Sequence, residues 1–115
     1  MKTAVIGSRN FNDYELLVRE LDKFQITELI SGGARGADQL AARYAKVRGI
    51  PLTEHKPDYR IYGKKATYVR NDLIIKECER LIAFWDGKSP GTGSVIDKTR
   101  KKGKEVKIIL FVLPG

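Results

Sequence analysis

Five short apolar runs, Lys2–Ile6, Ile26–Ile30, Pro51–His55, Leu81–Trp85 and Val106–Val112, alternate with longer stretches whose apolar residues recur at helical spacing. That alternation constrains the fold more than any other feature. Strands separated by helices pair in parallel rather than as hairpins, and the helices cover both faces of the resulting sheet. Right-handed crossovers permit the strand order 3-2-1-4-5, which places the first and fourth strands side by side at a switch point. The expectation is a Rossmann-like α/β three-layer sandwich with a five-stranded parallel sheet, residues 1–115 forming one domain. Pro51–His55 is the weakest of the five strands.

The helical stretches have recognisable starts and faces. Asn12 or Asp13 can cap a first helix that carries Tyr14, Leu17, Leu21 and Phe24 on one side. A second presents Ala37, Leu40, Ala41, Tyr44 and Ala45, and Gly49 ends it. A third spans about Ala66 to Glu79 with Val69, Leu73, Ile74 and Cys78 inward; Arg70 follows Val69, so it reaches toward a cleft or points to water. Lys56–Lys65, with Pro57, Asp58, Gly63 and two tyrosines, reads as a long surface loop. Tyr59 and Tyr62 there could stack on a base or pack on their own loop.

Three polar turns follow strands. Ser31-Gly32-Gly33-Ala34-Arg35-Gly36-Ala37-Asp38 joins the second strand to a helix start, with three glycines in five residues. Such a turn brings backbone N–H groups close to a ligand without Cβ interference and suits an anion such as a phosphate. Gly-Gly turns also occur where a strand simply bends into a helix. Arg35 adds a fork of donors, and Asp38 can accept from ribose hydroxyls or tie the loop's own amides. Gly7-Ser8-Arg9 follows the first strand. Asp86-Gly87-Lys88-Ser89-Pro90-Gly91-Thr92-Gly93-Ser94 follows the fourth and opens a second anion-suited helix start. In the order 3-2-1-4-5 all three turns open on one carboxyl edge, around one crevice.

Two familiar nucleotide motifs are excluded by spacing. The central loop reads G-G-x-x-G rather than G-x-G-x-x-G, and Gly87-Lys88-Ser89 has Ile82 where a P-loop needs its first glycine. One cysteine, Cys78, cannot form an internal disulfide and sits in a helical apolar pattern, which favours packing. His55 has no Cys or His companion at ligand spacing, so no metal is expected. Without a signal-peptide pattern or an apolar run long enough to span a bilayer, the chain reads as cytoplasmic, with no membrane partner. The formal charge of +8 favours anionic partners, and six positive charges fall between Lys98 and Lys107. They complement the end of a helix or form a nucleic-acid patch.

Gly7-Ser8-Arg9, Ser31 to Asp38, Tyr62-Gly63, Arg70-Asn71, Ala83-Phe84-Trp85-Asp86 and Ser89-Pro90-Gly91-Thr92, in this order and spacing, resemble the YspA/YpsA-related branch of the SLOG superfamily of small Rossmann-like domains. The resemblance covers nearly the whole chain. The Ser31 to Asp38 string and the Arg70-Asn71 pair also resemble the related DNA-processing protein DprA, which binds single-stranded DNA. The resemblance implies a site for a nucleotide or nucleotide derivative, with phosphate at the glycine loops. Superfamily members related to LOG cleave the base from nucleoside 5′-monophosphates, and Arg70 matches their helix arginine. Aligning Gly91-Thr92 with their P-G-G-x-G-T-x-x-E pattern puts Val95 at the glutamate.

The expected function is therefore binding of a nucleotide-derived ligand as a sensor or sequestering module, with no further cofactor. Amides of Gly32 to Gly36 and Gly91 to Gly93 hold phosphate in this reading, with Arg9, Arg35 and Arg70 as charged donors. Asp38 or Asp86 contacts ribose, and Ser8, Asn71 and Thr92 supply hydrogen bonds, with Gly7, Ser31, Ala34 and Ser89 completing the walls. One alternative is a phosphoribohydrolase using Arg70, with Asp38, Asp86 or Asp97 replacing the missing carboxylate. Another is single-stranded DNA binding through Lys98–Lys107 and Arg35. A homodimer or higher homo-oligomer is expected because related folds often pair through exposed helices.

Overall fold

The computed structural model describes residues 1–112. Pro114 and Gly115 lie outside the described residues. Five strands, β1 (Lys2–Gly7), β2 (Glu28–Ser31), β3 (Leu52–Glu54), β4 (Arg80–Trp85) and β5 (Glu105–Leu110), form one sheet in the order β3-β2-β1-β4-β5. Every adjacent pair is parallel. The expected architecture and order are those observed. At the centre, Ala4 to Gly7 of β1 lie opposite Leu81 to Phe84 of β4, so the loops leaving both strands start side by side.

Alternation along the buried strands divides the core in two. Val5, Leu29, Ile82 and Phe84 face α1 (Tyr14–Leu21) and α2 (Ala37–Arg48), meeting Leu17, Leu21, Ala41 and Tyr44. Ala4, Ile6, Ile30, Leu81 and Ala83 face the opposite layer, meeting Ile74 and Ile75 of α4 (Ala66–Glu77) and Val95 and Ile96 of α5 (Pro90–Lys101). Helices thus cover both faces, as right-handed crossovers from a central β1 require. Asp13 is the residue that caps α1, its carboxylate accepting from Leu16 N–H at 3.0 Å. Gly49 ends α2 in the left-handed conformation, φ 67°.

Several boundaries and faces differ from the sequence reading. Lys56–Lys65 lies at the surface as expected, but it holds a short helix, α3 (Tyr59–Tyr62), and a 3₁₀ turn (Gly63–Lys65) instead of loop throughout. Asp58 drives that helix by accepting from the N–H groups of Arg60 and Ile61. β2 begins at Glu28 rather than Ile26, and β5 ends at Leu110. In α4 the buried residues are Ala66, Ile74 and Ile75, whereas Leu73 is 44% exposed. Apolar side chains occur all around α4, so spacing alone leaves its face open; Ile74 and Ile75 pack into the core while Arg70 bonds the loop after β2.

Among the described residues no helix is long and apolar enough to cross a membrane, and no group of three or more His, Cys, Asp or Glu side chains is placed to hold a metal. The basic run from Lys98 to Lys107 is dispersed. Lys104 Nζ donates to the carbonyls of Ile75 and Lys76 and closes the C-terminal end of α4, while Lys98 turns toward α4, 4.0 Å from Asp72.

Candidate ligand-binding site

The loops after β1 and β4 are joined by a small hydrogen-bonded unit. Ser8 N–H donates to the Phe84 carbonyl at 3.0 Å, the Ser8 and Ser89 hydroxyls lie 3.1 Å apart, and Asp86 N–H donates to Ser8 Oγ at 3.3 Å. Asp86 organises the β4 side: its carboxylate accepts from Lys88 N–H, Ser89 N–H and Ser89 Oγ at 2.9, 2.8 and 2.9 Å. These bonds hold its carboxyl down at about 2, the Ser89 and Lys88 amides being the main causes. With Ser89 thus occupied, no side chain caps α5, and Pro90 at the first position has no N–H to offer. The N–H groups of Gly91 and Thr92 are left at the helix start without intrahelical acceptors.

The loop after β2 is held from two sides. Asp38 Oδ2 accepts from Ala34 N–H at 3.0 Å, so Asp38 ties its own loop. Arg70, one turn into α4, donates from Nη1 to the Gly32 carbonyl at 2.6 Å and from Nε to Asn71 Oδ1 at 2.7 Å. A Cβ on Gly32 would overlap the Arg70 guanidinium and lie 3.0 Å from Asp38 Oδ2. Only glycine permits this approach. Burial pushes the Asp38 carboxyl above its usual range, against the lowering influence of the Ala34 amide and the Arg70 charge. Burial also lowers Arg70, the Asp38 carboxylate acting in the opposite direction.

These loops and residues of α4 and α5, out to Ile74 and Lys98, line a cavity of about 520 Å³, within the range typical of small-molecule sites. Gly7, Ser8 and Arg9 line it from β1, Gly32, Ala34 and Asp38 from β2 and α2. Arg70 and Asn71 line it from α4, and Ser89, Gly91 and Thr92 from α5. Three turns far apart in sequence therefore meet around one space. The remaining sequence candidates do not line it. Ser31 is fully buried in β2, Gly33 packs toward Glu54 and Lys56, and Gly93 packs against Trp85. Asp86 works inside its own turn. Arg35 and Gly36 border a separate depression beside Arg9.

Other residues line the cavity too: Thr67 and Tyr68 on α4, which the sequence does not single out, with Ile74 from the inward face of α4, and on α5 Ser94 at the end of the Asp86 to Ser94 stretch, Val95 at the glutamate position of the LOG pattern and Lys98 of the basic run. Their signal was helical spacing from residues already singled out: Thr67, Arg70, Asn71 and Ile74 share one α4 face, and Gly91, Ser94, Val95 and Lys98 one α5 face. Tyr59 and Tyr62 are exposed and not among the lining residues; the aromatic side chain of the cavity is Tyr68, whose ring centroid lies 5.7 Å from Lys98 Nζ. Val95, 4% exposed, puts an apolar side chain in the wall.

A parallel sheet in this order, with polar loops meeting over the β1/β4 switch point, defines a nucleotide-related Rossmann-like module. More particularly, the chain belongs to the YspA, cpYpsA-related SLOG family, whose model matches residues 1–62. It is also similar to the Gene 61 protein of Mycobacterium phage D29, at 31% identity over 113 residues that cover 89% of this chain and 90% of the phage protein.

Proposed function

We propose that the protein binds a phosphorylated nucleotide or nucleotide derivative in the cavity over the β1/β4 switch point, and holds it rather than cleaving it. The observation that carries this reading is the meeting of unpaired Gly91 and Thr92 amides with the Arg70 guanidinium in one cavity. The phosphate sits at the start of α5, with Thr92 and Ser8 as hydroxyl partners. Arg9 adds positive charge at the rim, and Asn71 bonds the sugar. Asp38, already accepting from Ala34, serves chiefly to fix its loop.

Val95 supports binding over hydrolysis. An oxocarbenium-like transition state gains from a nearby carboxylate, and this wall position offers a hydrocarbon instead. The competing enzymatic reading, release of a base from a nucleoside 5′-monophosphate, draws on Asp38, a carboxylate that does line the cavity. Calorimetric titration with the common nucleoside 5′-monophosphates, followed by chromatography of each mixture, separates the two. Binding without free base, weakened at least about tenfold by Arg70→Ala, is the expected result. Free base accumulating in proportion to protein would establish hydrolysis, and absence of any heat would rule out an unmodified mononucleotide as the ligand.

A further inference from the structure

A second depression, of about 440 Å³, adjoins the cavity and shares two residues with it, Arg9 and Asn10. Arg35 lines it as well, Asn12 and Gln39 supply carboxamides, and Leu40 supplies apolar surface. No carboxylate is among its lining residues, and among the described residues neither Arg9 nor Arg35 has an acidic side chain within ion-pair distance. The wall between the two spaces is built from backbone. Gly36 adopts φ +77°, and a Cβ placed on it would lie 2.5 Å from the Ser8 carbonyl oxygen and 2.7 Å from that of Arg9. The loops bearing Arg9 and Arg35 are therefore pressed together, and their two cations face one space at a fixed separation of backbones.

Resting on the nucleotide reading, we propose that the ligand is a phosphate-linked dinucleotide. One nucleotide occupies the cavity and the second lies across Arg9 into the depression, where Arg35 meets its phosphate-bearing side. A mononucleotide with its phosphate at α5 leaves Arg35 without a counter-charge. A linked second nucleotide supplies that anion, ribose and base edges for Asn12 and Gln39, and enough bulk for a space nearly as large as the first. Arg9 stands between the two halves; its positive charge reaches Arg70, whose pKa it helps to lower.

Calorimetry on the whole chain with the four common nucleoside 5′-monophosphates and the matching symmetric dinucleoside pyrophosphates tests this. The best dinucleotide binds at least about tenfold tighter than its mononucleotide, and Arg35→Ala removes that advantage while mononucleotide affinity stays within about twofold. Arg35 is exposed, so the variant folds. Equal wild-type affinity for both ligand sizes would overturn the inference while leaving the mononucleotide site intact. Equal weakening of both ligands by Arg35→Ala would also overturn it. A single-stranded tetranucleotide binding tighter than every dinucleotide would replace it with a polymer partner. Failure of mononucleotides and dinucleotides alike would end both readings.

Discussion

Replacing Gly36 by alanine tests the contact on which the geometry of the site depends. The position combines φ 77° with ψ −125°, a region essentially reserved for glycine. Backbone strain for an alanine there is about 1–3 kcal/mol. The added Cβ also meets two carbonyl oxygens of the Ser8-Arg9 turn at 2.5 and 2.7 Å, and these are backbone atoms that no rotamer change can move. Forcing the loops apart adds about 1–3 kcal/mol, the usual range for overpacking. Gly36→Ala should therefore destabilise by about 2–6 kcal/mol, a large share of the stability of a domain this size. Gly49→Ala is the matched control: φ is 67° but nothing lies within 4 Å of the new methyl, so only about 1 kcal/mol of left-handed strain remains. Urea unfolding followed by circular dichroism reads both losses on one scale. If the two variants lie within about 1 kcal/mol of each other, the loops are not in contact as described and the shared wall between the two spaces is wrong.

Other outcomes follow from individual residues. Asp86, held near 2 in the folded chain against an ordinary 3.8, contributes stability that is present above pH 3.8 and lost as pH falls toward 2; the gap in thermal midpoint between wild type and Asp86→Asn should narrow over that interval. Tyr44 donates to Asp22 and its hydroxyl is pushed up to about 12, mainly by burial. Tyr44→Phe should cost about 1–2 kcal/mol at neutral pH. That difference should fade as pH rises from 10 toward 12, and an absorbance titration should find one fewer late-ionising tyrosine in the variant. Cys78 is buried, and its thiol is pushed up by that burial; a disulfide reagent at pH 8 should modify it slowly in the native protein and fast in urea, and equal rates would contradict its placement.

Much of this was legible in the sequence because the strongest signals were local and topological. The runs around Val5, Ile30 and Ile82 are apolar on both sides, as strands covered by two helix layers must be, and chirality then leaves few strand orders. The convergence of Gly7-Ser8-Arg9, Ser31 to Asp38 and the turn before α5 followed from that order. Details that depend on tertiary partners were less readable. Asp86 resembled a ligand contact, yet two amides and a hydroxyl of its own turn engage it. Arg35 and Arg70 carry the same charge, but only the latter extends from a helix that faces the loop after β2. Tyr68 lay in an amphipathic pattern too diffuse to show which side of α4 faced the cavity, whereas Tyr59 and Tyr62 attracted notice by lying in a polar segment.

The position of β1 between β2 and β4 has a consequence for how the chain is made. Within this domain Ala4 and Ile6 precede the other strands, and their partners Leu81 and Ala83 leave the ribosome some eighty residues after them. Until then one side of the central strand has no neighbour, and the layer formed with Ile74, Ile75, Val95 and Ile96 cannot close. A nascent chain halted at residue 62, where the match to the family model ends, should thus remain protease-sensitive, becoming resistant only when β4 and α5 have emerged to cover the open side of β1.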